Sequence, residues 1–404
     1  MTANSPFSDL PEHLQLPHIR PIQPIPMKKE EQVIVGLRDP FQLSKESLAL
    51  PANVYSIVQK MNGDTPAKAI AESTKAPPDQ FIDLLNKLDQ VGLLWGPTAK
   101  RLEEELLQSL KSTKTFPVRT TAALGKSVDA CRTQLNQWFD ETEDPEFEKP
   151  VAAIVAPHLD YFRGWPNYAS AYYAWQHADN PDRIVILGTN HFGNGDGVVL
   201  STIGFSSPLG TCPVDEEVTK QLCEKLGVGL TADMLDHHAE HSIELQLPWI
   251  QHCFGNVPIV AALIPSPLIP MIEEDGKRTT TQEFVDALRS VLDEVGGTTY
   301  FVASADLSHV GQQFGEPRPV DDQRKFDVEK HDREMMTKFI QGDACEFVDA
   351  MKWNNNATQW CSIGNMSAVM ELVNPSSIEL IDYRQWSDDN GAALVSSCAM
   401  ALTP

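Results

Sequence analysis

The sequence predicts an α/β protein in which a large layered domain follows a smaller, mostly helical unit. Short β-branched apolar runs, such as VAAIVAP at 151–157 and RIVILGT at 183–189, are bounded by Pro or Gly, as buried strands are. Amphipathic stretches such as VDEEVTKQLCEKLG at 214–227 fall between these runs. Strands that alternate with helices are typical of helices layered on a sheet.

Further strands and helices continue this alternation to the end of the chain. The other predicted strands share β-branched or small apolar residues: GVVLST, VPIVAALIP, TTYFVASAD, SIELIDY and AALVSSCAMAL. The helices predicted between them are TTTQEFVDALRSVLDEVG and DVEKHDREMMTKFIQGD, and an earlier one is KSVDACRTQLNQWFDE. The last two strands are the ones expected to pair antiparallel.

Four segments are predicted along the chain. Residues 1–32 are polar and proline-punctuated and predict an extended arm; residues 33–97 carry a strand, three helical patterns and a closing strand; residues 98–114 predict a linking helix; and residues 115–404 form the α/β domain. The element order of the second segment resembles a winged helix-turn-helix and the PqqD-like modules found on modified-peptide and radical-SAM systems.

The composition narrows the possible functions. Lys and Arg number 32 against 56 Asp and Glu, a formal charge of −24, which disfavours nucleic acid or an anionic membrane as partner. The seven cysteines are scattered without a CxxC pair, so neither a disulfide framework nor a cysteine-rich zinc site is indicated. The N-terminus lacks a secretory pattern and no apolar run approaches ~20 residues, so a cytoplasmic location is expected.

Histidine-bearing segments concentrate the reactive side chains. His158 and His191 each follow a predicted strand; the run LDHHAEHSIELQLPW (235–249) carries several histidines and glutamates, and SADLSHVG (304–311) follows another strand. Residues just past strand ends line the crevice in which α/β proteins bind ligands. Because buried imidazoles each need a partner, a shared metal or substrate is the economical explanation.

Two histidines with an oxygen or sulfur donor form the open metal sites of non-haem Fe(II) oxygenases and catalytic zinc enzymes. A further histidine can then transfer protons, because its pKa lies near neutrality. His241 suits that role. If its segment is helical, Glu240 and Glu244 lie one turn apart with His241 alongside.

The segments APHLDY, LGTNHFG, EHSIELQLPW and SADLSHVG resemble, in order and context, those of the Memo family, whose bacterial members are called AmmeMemoRadiSam system protein B. The resemblance runs from about Ala153 to the C-terminus and includes CSIG at 361–364. It implies a fold akin to the class III extradiol, LigB-type dioxygenases. It also implies that His158 and His191 bind a metal and that His241 transfers protons.

The third ligand implied by the resemblance is a cysteine, which falls on Ser308 here. A neutral hydroxyl is a far weaker donor than a thiolate, so the metal is expected to be bound weakly, completed by Asp306 or His309, or absent. Asp160 could add a carboxylate beside His158, although a turn residue is its ordinary interpretation. The resemblance implies Fe(II), with Zn or Cu as alternatives, and leaves open that no metal binds.

Three functions therefore remain open. The first is a dioxygenase-like oxidoreductase acting on an unidentified small molecule or peptide. The second is a non-catalytic adaptor working with radical-SAM and AMMECR1-like proteins, as the family name implies. The third is a zinc hydrolase using the i, i+4 pair His237 and His241, although no HExxH motif is present. The cysteines, Cys361 included, have the ordinary interpretation of small buried residues.

Overall fold

The computed structural model describes residues 6–29, 32–44, 46–125, 127–147, 149–193, 197–269 and 278–404. The chain forms two compact units, Met1–Thr113 and Lys114–Pro404. Across the described residues, no helix is both long and apolar enough to cross a membrane.

The first unit combines a small antiparallel sheet with helices. Its strands lie in the order β1, β2, β3 and are β1 (Gln23–Lys29), β2 (Gln32–Arg38) and β3 (Leu48–Pro51). Its helices are α1 (Glu12–Gln15), α2 (Ala52–Val58), α3 (Ala67–Thr74), α4 (Pro78–Gln90) and α5 (Pro97–Thr113). Pro78 suits the start of α4, because an N–H group there would have no acceptor within the helix and the proline ring fixes φ near the helical value.

The segment predicted as an extended arm differs from that prediction. It contributes α1 and β1, and Phe7 and Leu14 are buried in the core of the first unit. Pro24 and Pro26 are compatible with β1 because this strand lies at the edge of the sheet. Alternate residues of a strand point their N–H sides in the same direction, so both prolines can face away from β2 and no hydrogen bond of the sheet is lost. The predicted closing strand at 92–95 is reduced to a single bridge, between Ile19 and Leu94.

Within the described residues, the second unit is built on an eight-stranded mixed sheet. Its strands are β5 (Ala153–Ala156), β6 (Arg183–Thr189), β7 (Val199–Leu200), β10 (Ile259–Ile264), β11 (Thr299–Ser304), β12 (Asp306–Val310), β13 (Ser377–Ser387) and β14 (Leu394–Thr403). Seven of them lie in the order β12, β14, β5, β11, β6, β10, β7, and β13 pairs with β14. A small separate sheet contains β4 (Thr115–Phe116), β8 (Gly204–Ser207) and β9 (Gly210–Cys212).

Helices cover both faces of this large sheet. The helices of the second unit are α6 (Val128–Asp140), α7 (Tyr161–Tyr173), α8 (Glu216–Leu226), α9 (Asp236–Ala239), α10 (Leu247–Phe254), α11 (Thr281–Val295), α12 (Asp322–Ile340), α13 (Ala344–Trp353) and α14 (Ile363–Val373). One core joins Val155 and Val185 of the sheet to α8, α11, α12, α13 and α14. The alternate strand residues, such as Ile154 and Ile186, are also fully buried and point to the opposite face. The predicted layered α/β class is confirmed.

Strand direction decides where functional side chains meet. The strands β5, β11, β6 and β10 run parallel in adjacent positions, whereas β14 runs antiparallel to β5, and β13 to β14. The carboxyl ends of β5, β11 and β6 therefore meet at one edge of the sheet, where α/β proteins bind ligands.

Candidate metal centre

Three side chains leave neighbouring parallel strands at equivalent positions. His158, Asp306 and His191 each lie two residues beyond the end of β5, β11 and β6, respectively. Because these strands are adjacent, the three residues meet at the same edge. His241 reaches them from the turn after α9, where Glu240 ends the helix in an extended conformation.

His158 is buried, with a side chain 1% exposed. Its Nδ1 lies 3.0 Å from the carbonyl oxygen of Ser304, and because a carbonyl can only accept, Nδ1 carries the proton. The Asn365 amide donates to the same carbonyl, and the His158 backbone N–H donates to Asp306 Oδ1 at 3.0 Å. The His158 Nε2 lone pair is therefore left to face the site.

Glu240 orients the other two imidazoles. Its carboxylate lies 3.1 Å from the Nδ1 atoms of His191 and His241. It also accepts backbone N–H groups of His191, His241 and Ser242 at 2.7–2.9 Å. With Nδ1 engaged on both rings, Nε2 is the free ligand atom of each. A carboxylate behind a ligating imidazole is the usual support of a metal-binding histidine.

The three imidazoles form one compact group, called here the histidine cluster. Their ligand atoms all lie within 4.8 Å of one another. The ring centroids of His191 and His241 are 5.0 Å apart and nearly parallel, and the His158 ring is almost perpendicular to both. His158, His191 and His241 could therefore hold a metal ion.

Cys361 adds a sulfur atom to this cluster. It lies just before α14, with Sγ 3.4 Å from His158 Nε2. The burial of Cys361 favours the neutral thiol, but His158 and His191 beside it lower the pKa of Cys361 to about 6. At neutral pH the thiolate, which is the form that binds metals, therefore predominates.

Charge within the cluster is complementary. Burial by itself would lower the pKa of His191, but Glu240 and Cys361 hold that pKa well above its ordinary value. Burial would raise the pKa of Glu240, but His191 and His241 hold it well below its usual range. For His158, burial lowers the pKa, and Cys361 opposes this shift only in part. The carboxylate of Glu240 and the Cys361 thiolate thus favour positive charge at this site.

The family model described as "Memo-like protein" matches residues 124–401. This chain belongs to the Memo family. Most of the second unit, including every residue of the histidine cluster and Cys361, lies within that match.

Individual relatives extend the similarity. A MEMO1 family protein of Aquifex aeolicus is 26% identical over 377 residues, covering 91% of this chain and 95% of that protein. Since this alignment is longer than the second unit, it includes part of the first. A MEMO1 family protein of Methanopyrus kandleri is 30% identical, covering 62% of this chain and 81% of that protein. One of Methanococcoides burtonii is 27% identical over 72% of this chain and 96% of that protein.

The segment EHSIELQLPW, the longest by which the chain resembles the Memo family, ties the strand ends together. Besides Glu240, Ser242 donates to the carbonyl of Thr189 at the end of β6. The Gln246 amide donates to the Pro157 carbonyl, just past β5, at 2.7 Å and to Ser304 Oγ at 2.8 Å. Glu244 accepts from Thr121 and does not face the cluster. The segment is therefore a strap that fixes the positions of His158 and His191.

Ser308, the residue carried over as third ligand, lies elsewhere. Its hydroxyl donates to Asp332 Oδ1 at 2.5 Å. Trp360 Nε1 donates to the same oxygen, and the hydroxyls of Tyr383 and Ser396 donate to Oδ2. These five side chains form what we call the Asp332 network. The structure does not bring Ser308 into the histidine cluster; Cys361 occupies that place, because the chain after Trp360 passes beside His158.

The other candidates divide between the site and its surroundings. Asp306 supports His158, and its Oδ2 lies 3.6 Å from His158 Nε2. The His309 ring instead packs on Phe314, with Nδ1 3.1 Å from the Leu307 carbonyl. Asp160 caps α7 and pairs with Arg163, which is the ordinary interpretation of a turn residue.

The helical spacing assumed for a zinc hydrolase is not present. The helix α9 ends at Ala239, so His237 and His241 do not share a helical face. His237 is buried with Nε2 3.0 Å from the Val199 carbonyl, and burial lowers its pKa to about 4. Glu240 and Glu244 are likewise not one helical turn apart.

Proposed function

We propose that this Memo-family chain is a metal-dependent oxidoreductase in which His158, His191 and the Cys361 thiolate hold the metal and His241, the third member of the histidine cluster, transfers protons. The observation that carries this proposal is the shared orientation of three imidazoles. Each has its Nδ1 engaged by Ser304 or Glu240, and each directs Nε2 to a common space. Hydrogen bonds that serve only to satisfy buried imidazoles would not direct the second nitrogen of three rings toward one space.

Access from solvent supports a catalytic rather than a structural metal. The side chains of His191 and His241 are 24% and 31% exposed, in contrast to 1% for His158. His191 and Cys361 also line a cavity of about 520 Å³. Structural metal sites are closed, whereas catalytic sites keep a position open to substrate.

The donor set suits a borderline metal. Imidazole binds Fe, Zn and Cu well, and thiolate favours the softer ions over Mg or Ca. Fe(II) is our first choice, with Zn and Cu as alternatives, because the open side of the cluster matches a redox centre. Bound iron would supply open positions for a substrate and dioxygen and would pass electrons from the substrate, which is oxidised, to dioxygen, which is reduced.

His241 has a separate role in this proposal. It is the most exposed of the three imidazoles and stacks on His191, so it can exchange protons with a substrate in the open side. Glu240 Oε1 lies 3.1 Å from its Nδ1 and stabilises the charged imidazolium when Nε2 takes up a proton. Asp306 and Glu240 act as positioning residues.

Elemental analysis of protein purified without chelator or metal-binding tag tests the centre. We expect close to one iron per chain in the wild type and none in the double variant His158→Ala/His191→Ala. His177→Ala, a histidine outside the cluster, is the matched control and should retain the metal. A wild-type chain that stays metal-free after anaerobic Fe(II), Zn(II) and Cu(I) loading would refute the proposal.

A groove on the first unit supports a second candidate function, docking of a partner protein. The groove has a volume of about 580 Å³. Apolar residues of β1, β2, β3 and the segment after α4 line it together with polar and charged residues, among them Arg38, Asp39 and Glu46. Ile25 and Met27 at its rim are 42% and 40% exposed. The winged-helix-like order of this unit and the family name favour radical-SAM and AMMECR1-like proteins as partners.

Calorimetric titration of the full chain with purified proteins of these two classes tests that candidate. Met27→Glu should weaken binding, because it places a charge on the apolar part of the groove beside Ile25. Val128→Glu, at an exposed position of the second unit, should leave it unchanged. Equal binding by wild type and Met27→Glu would exclude this groove.

A further inference from the structure

The cavity beside the histidine cluster has a chemistry of its own. On one side it reaches His191 and Cys361, and on the other it is bounded by Pro265 and Leu268, after β10, and by Asn355 and Trp360, before α14. Its volume of about 520 Å³ is in the range of small-molecule sites.

One wall of the cavity is apolar. Ile264 ends β10, and Pro265 and Leu268 follow it. Trp360 also borders the cavity, but its side chain is buried in the core and its indole N–H donates to Asp332 at 2.8 Å. The wall of Ile264, Pro265 and Leu268 suits a largely apolar body.

The loop between α13 and Cys361 is held in an unusual conformation. Asn355, Asn356 and Gln359 all have left-handed backbones, with φ of 54°, 48° and 57°. Such positions persist only when their surroundings hold them, and they concentrate at ligand sites. Asn356 supplies that support, because its side chain pairs with both the N–H and the carbonyl of Trp360.

One amide of this cavity is left for a ligand. The Gln359 side chain donates to the Phe314 carbonyl, and the Asn190 side chain pairs with Asp236 and with the Gly193 N–H. Asn355 makes no side-chain hydrogen bond to another described residue and lies at the exposed mouth of the cavity. Its amide offers both a donor and an acceptor in one plane.

The charge of the lining limits the ligand further. Apart from His191 and Cys361, which lie at the metal centre, the described lining residues include no titratable side chain. A pocket for a carboxylate or phosphate group would be expected to carry Arg or Lys, which bind those groups through charge-assisted hydrogen bonds. The described walls at the Asn355 end thus favour an uncharged group there.

We propose that this cavity binds a ligand with an uncharged amide group, which pairs with the Asn355 side chain while the apolar body of the ligand lies against Pro265 and Leu268. The proposal rests on the proposed function in that it places the reacting end of the ligand at His191 and Cys361. Asn355 is then a specificity-determining residue. The ligand class is set by the amide, not by the metal.

Phenylacetamide and phenylacetate are suitable probes, because they share a shape and differ in charge. Binding to the full chain is measured by ligand-observed NMR, both in metal-free protein and after metal loading. We expect phenylacetamide to bind and phenylacetate to bind about tenfold more weakly or not at all, the change that one hydrogen bond and one uncompensated charge produce.

Asn355→Asp keeps the size and the left-handed tendency of the residue but removes the amide donor. It should weaken phenylacetamide binding by about fivefold to tenfold. Asn374→Asp is the matched control, because Asn374 has a left-handed φ of 45° at the end of α14 and does not line the cavity. This control should bind like the wild type.

Three results would overturn the inference: phenylacetate binding as well as phenylacetamide, no binding of either probe, or unchanged phenylacetamide binding in Asn355→Asp. Because metal content is measured separately, the two proposals can fail independently. If the chain binds phenylacetamide but takes up no metal, the cavity proposal is supported and the metal centre is refuted. If the chain takes up metal but does not bind phenylacetamide, the metal centre is supported and the cavity proposal is refuted.

Discussion

The second unit contains two clusters of polar side chains, the Asp332 network, which includes Trp360, and the histidine cluster, which lies beside Cys361. They differ in how completely their polar atoms are hydrogen-bonded. In the Asp332 network a single carboxylate accepts from four side chains, and Asp332 is fully buried. In the histidine cluster the outward Nδ1 atoms are engaged and the inward Nε2 atoms face one another. The comparison teaches that a complete network supports the fold, whereas imidazole nitrogens directed to a common space mark a ligand site.

Removing the acceptor of the closed network should have the largest effect on stability. In Asp332→Ala, four buried donors lose their partner, and we expect the free energy of unfolding to fall by about 3 kcal/mol or more. His241→Ala should cost only about 1 kcal/mol in chelator-treated protein, because the side chain is partly exposed and Glu240 keeps its backbone donors. Urea denaturation measures both.

Asp322→Ala is the control for this comparison, since Asp322 lies on the same helix α12 and its side chain is fully exposed. It should change the free energy of unfolding by less than about 0.5 kcal/mol. If Asp332→Ala were as stable as this control, the network would not be the support that its geometry indicates.

Variants at Ser308 and Cys361 should differ in their affinity for metal. Cys361→Ser replaces a thiolate beside His158 by a neutral hydroxyl, and we expect metal affinity to fall by about a hundredfold or more. Ser308→Ala removes one donor from Asp332 and should leave the affinity unchanged. Competition with a chromophoric chelator measures the affinities.

Cobalt(II) substitution gives a second readout of the same pair, because a sulfur ligand adds a near-ultraviolet charge-transfer band. The band should be present in the wild type and in Ser308→Ala and absent in Cys361→Ser. A band lost in Ser308→Ala but kept in Cys361→Ser would restore Ser308 as the third ligand.

A smaller loss of metal affinity is expected when Glu240, the carboxylate behind two of the imidazoles, is changed. Glu240→Gln keeps the shape but gives a neutral side chain with one acceptor for the Nδ1–H groups of His191 and His241. Such supporting changes typically cost about tenfold to a hundredfold in metal affinity. Glu244→Gln is the control, because Glu244 binds Thr121 outside the cluster; an equal loss in both variants would assign the effect to the strap as a whole.

Much of this architecture could be predicted from residue patterns. The strands β5, β6, β10 and β11 are continuous apolar runs, and a histidine directly after such a run is expected at a sheet edge. His158 and His191 were predicted in this way, and the structure brings both to one edge. The same logic does not reach His241, whose position depends on an irregular turn; the sequence predicts its role from the chemistry of a further imidazole and from the resemblance to the Memo family.

Other features could not be predicted because they depend on long-range contacts. Ser308 and Cys361 are separated along the chain, and only strand order and the path after Trp360 decide which of them meets His158. Proline-rich residues 23–29 predict an arm, but pairing with β2 makes them an edge strand. The motif CSIG at 361–364 is the sequence signal for this cysteine. It does not by itself indicate a ligand, because only the folded structure shows that Cys361 lies beside His158.

The smallest expected effect compares two cysteines, one from each group. His158 and His191 lower the pKa of Cys361 to about 6, whereas burial, with Asp332 nearby, raises the pKa of Cys398 far above its ordinary value. The reactive thiolate of Cys361 is present above its pKa and is lost as the pH falls through it. In metal-free protein, alkylation of Cys361 by iodoacetamide should therefore rise with a midpoint near pH 6 and level off, and Cys398 should stay unmodified. Peptide mapping by mass spectrometry follows both residues.

His158→Ala should move the Cys361 midpoint to higher pH, because the removed imidazole is the largest favourable influence on the thiolate. An unmoved midpoint would mean that His158 and Cys361 do not act on each other and that the sulfur lies outside the cluster.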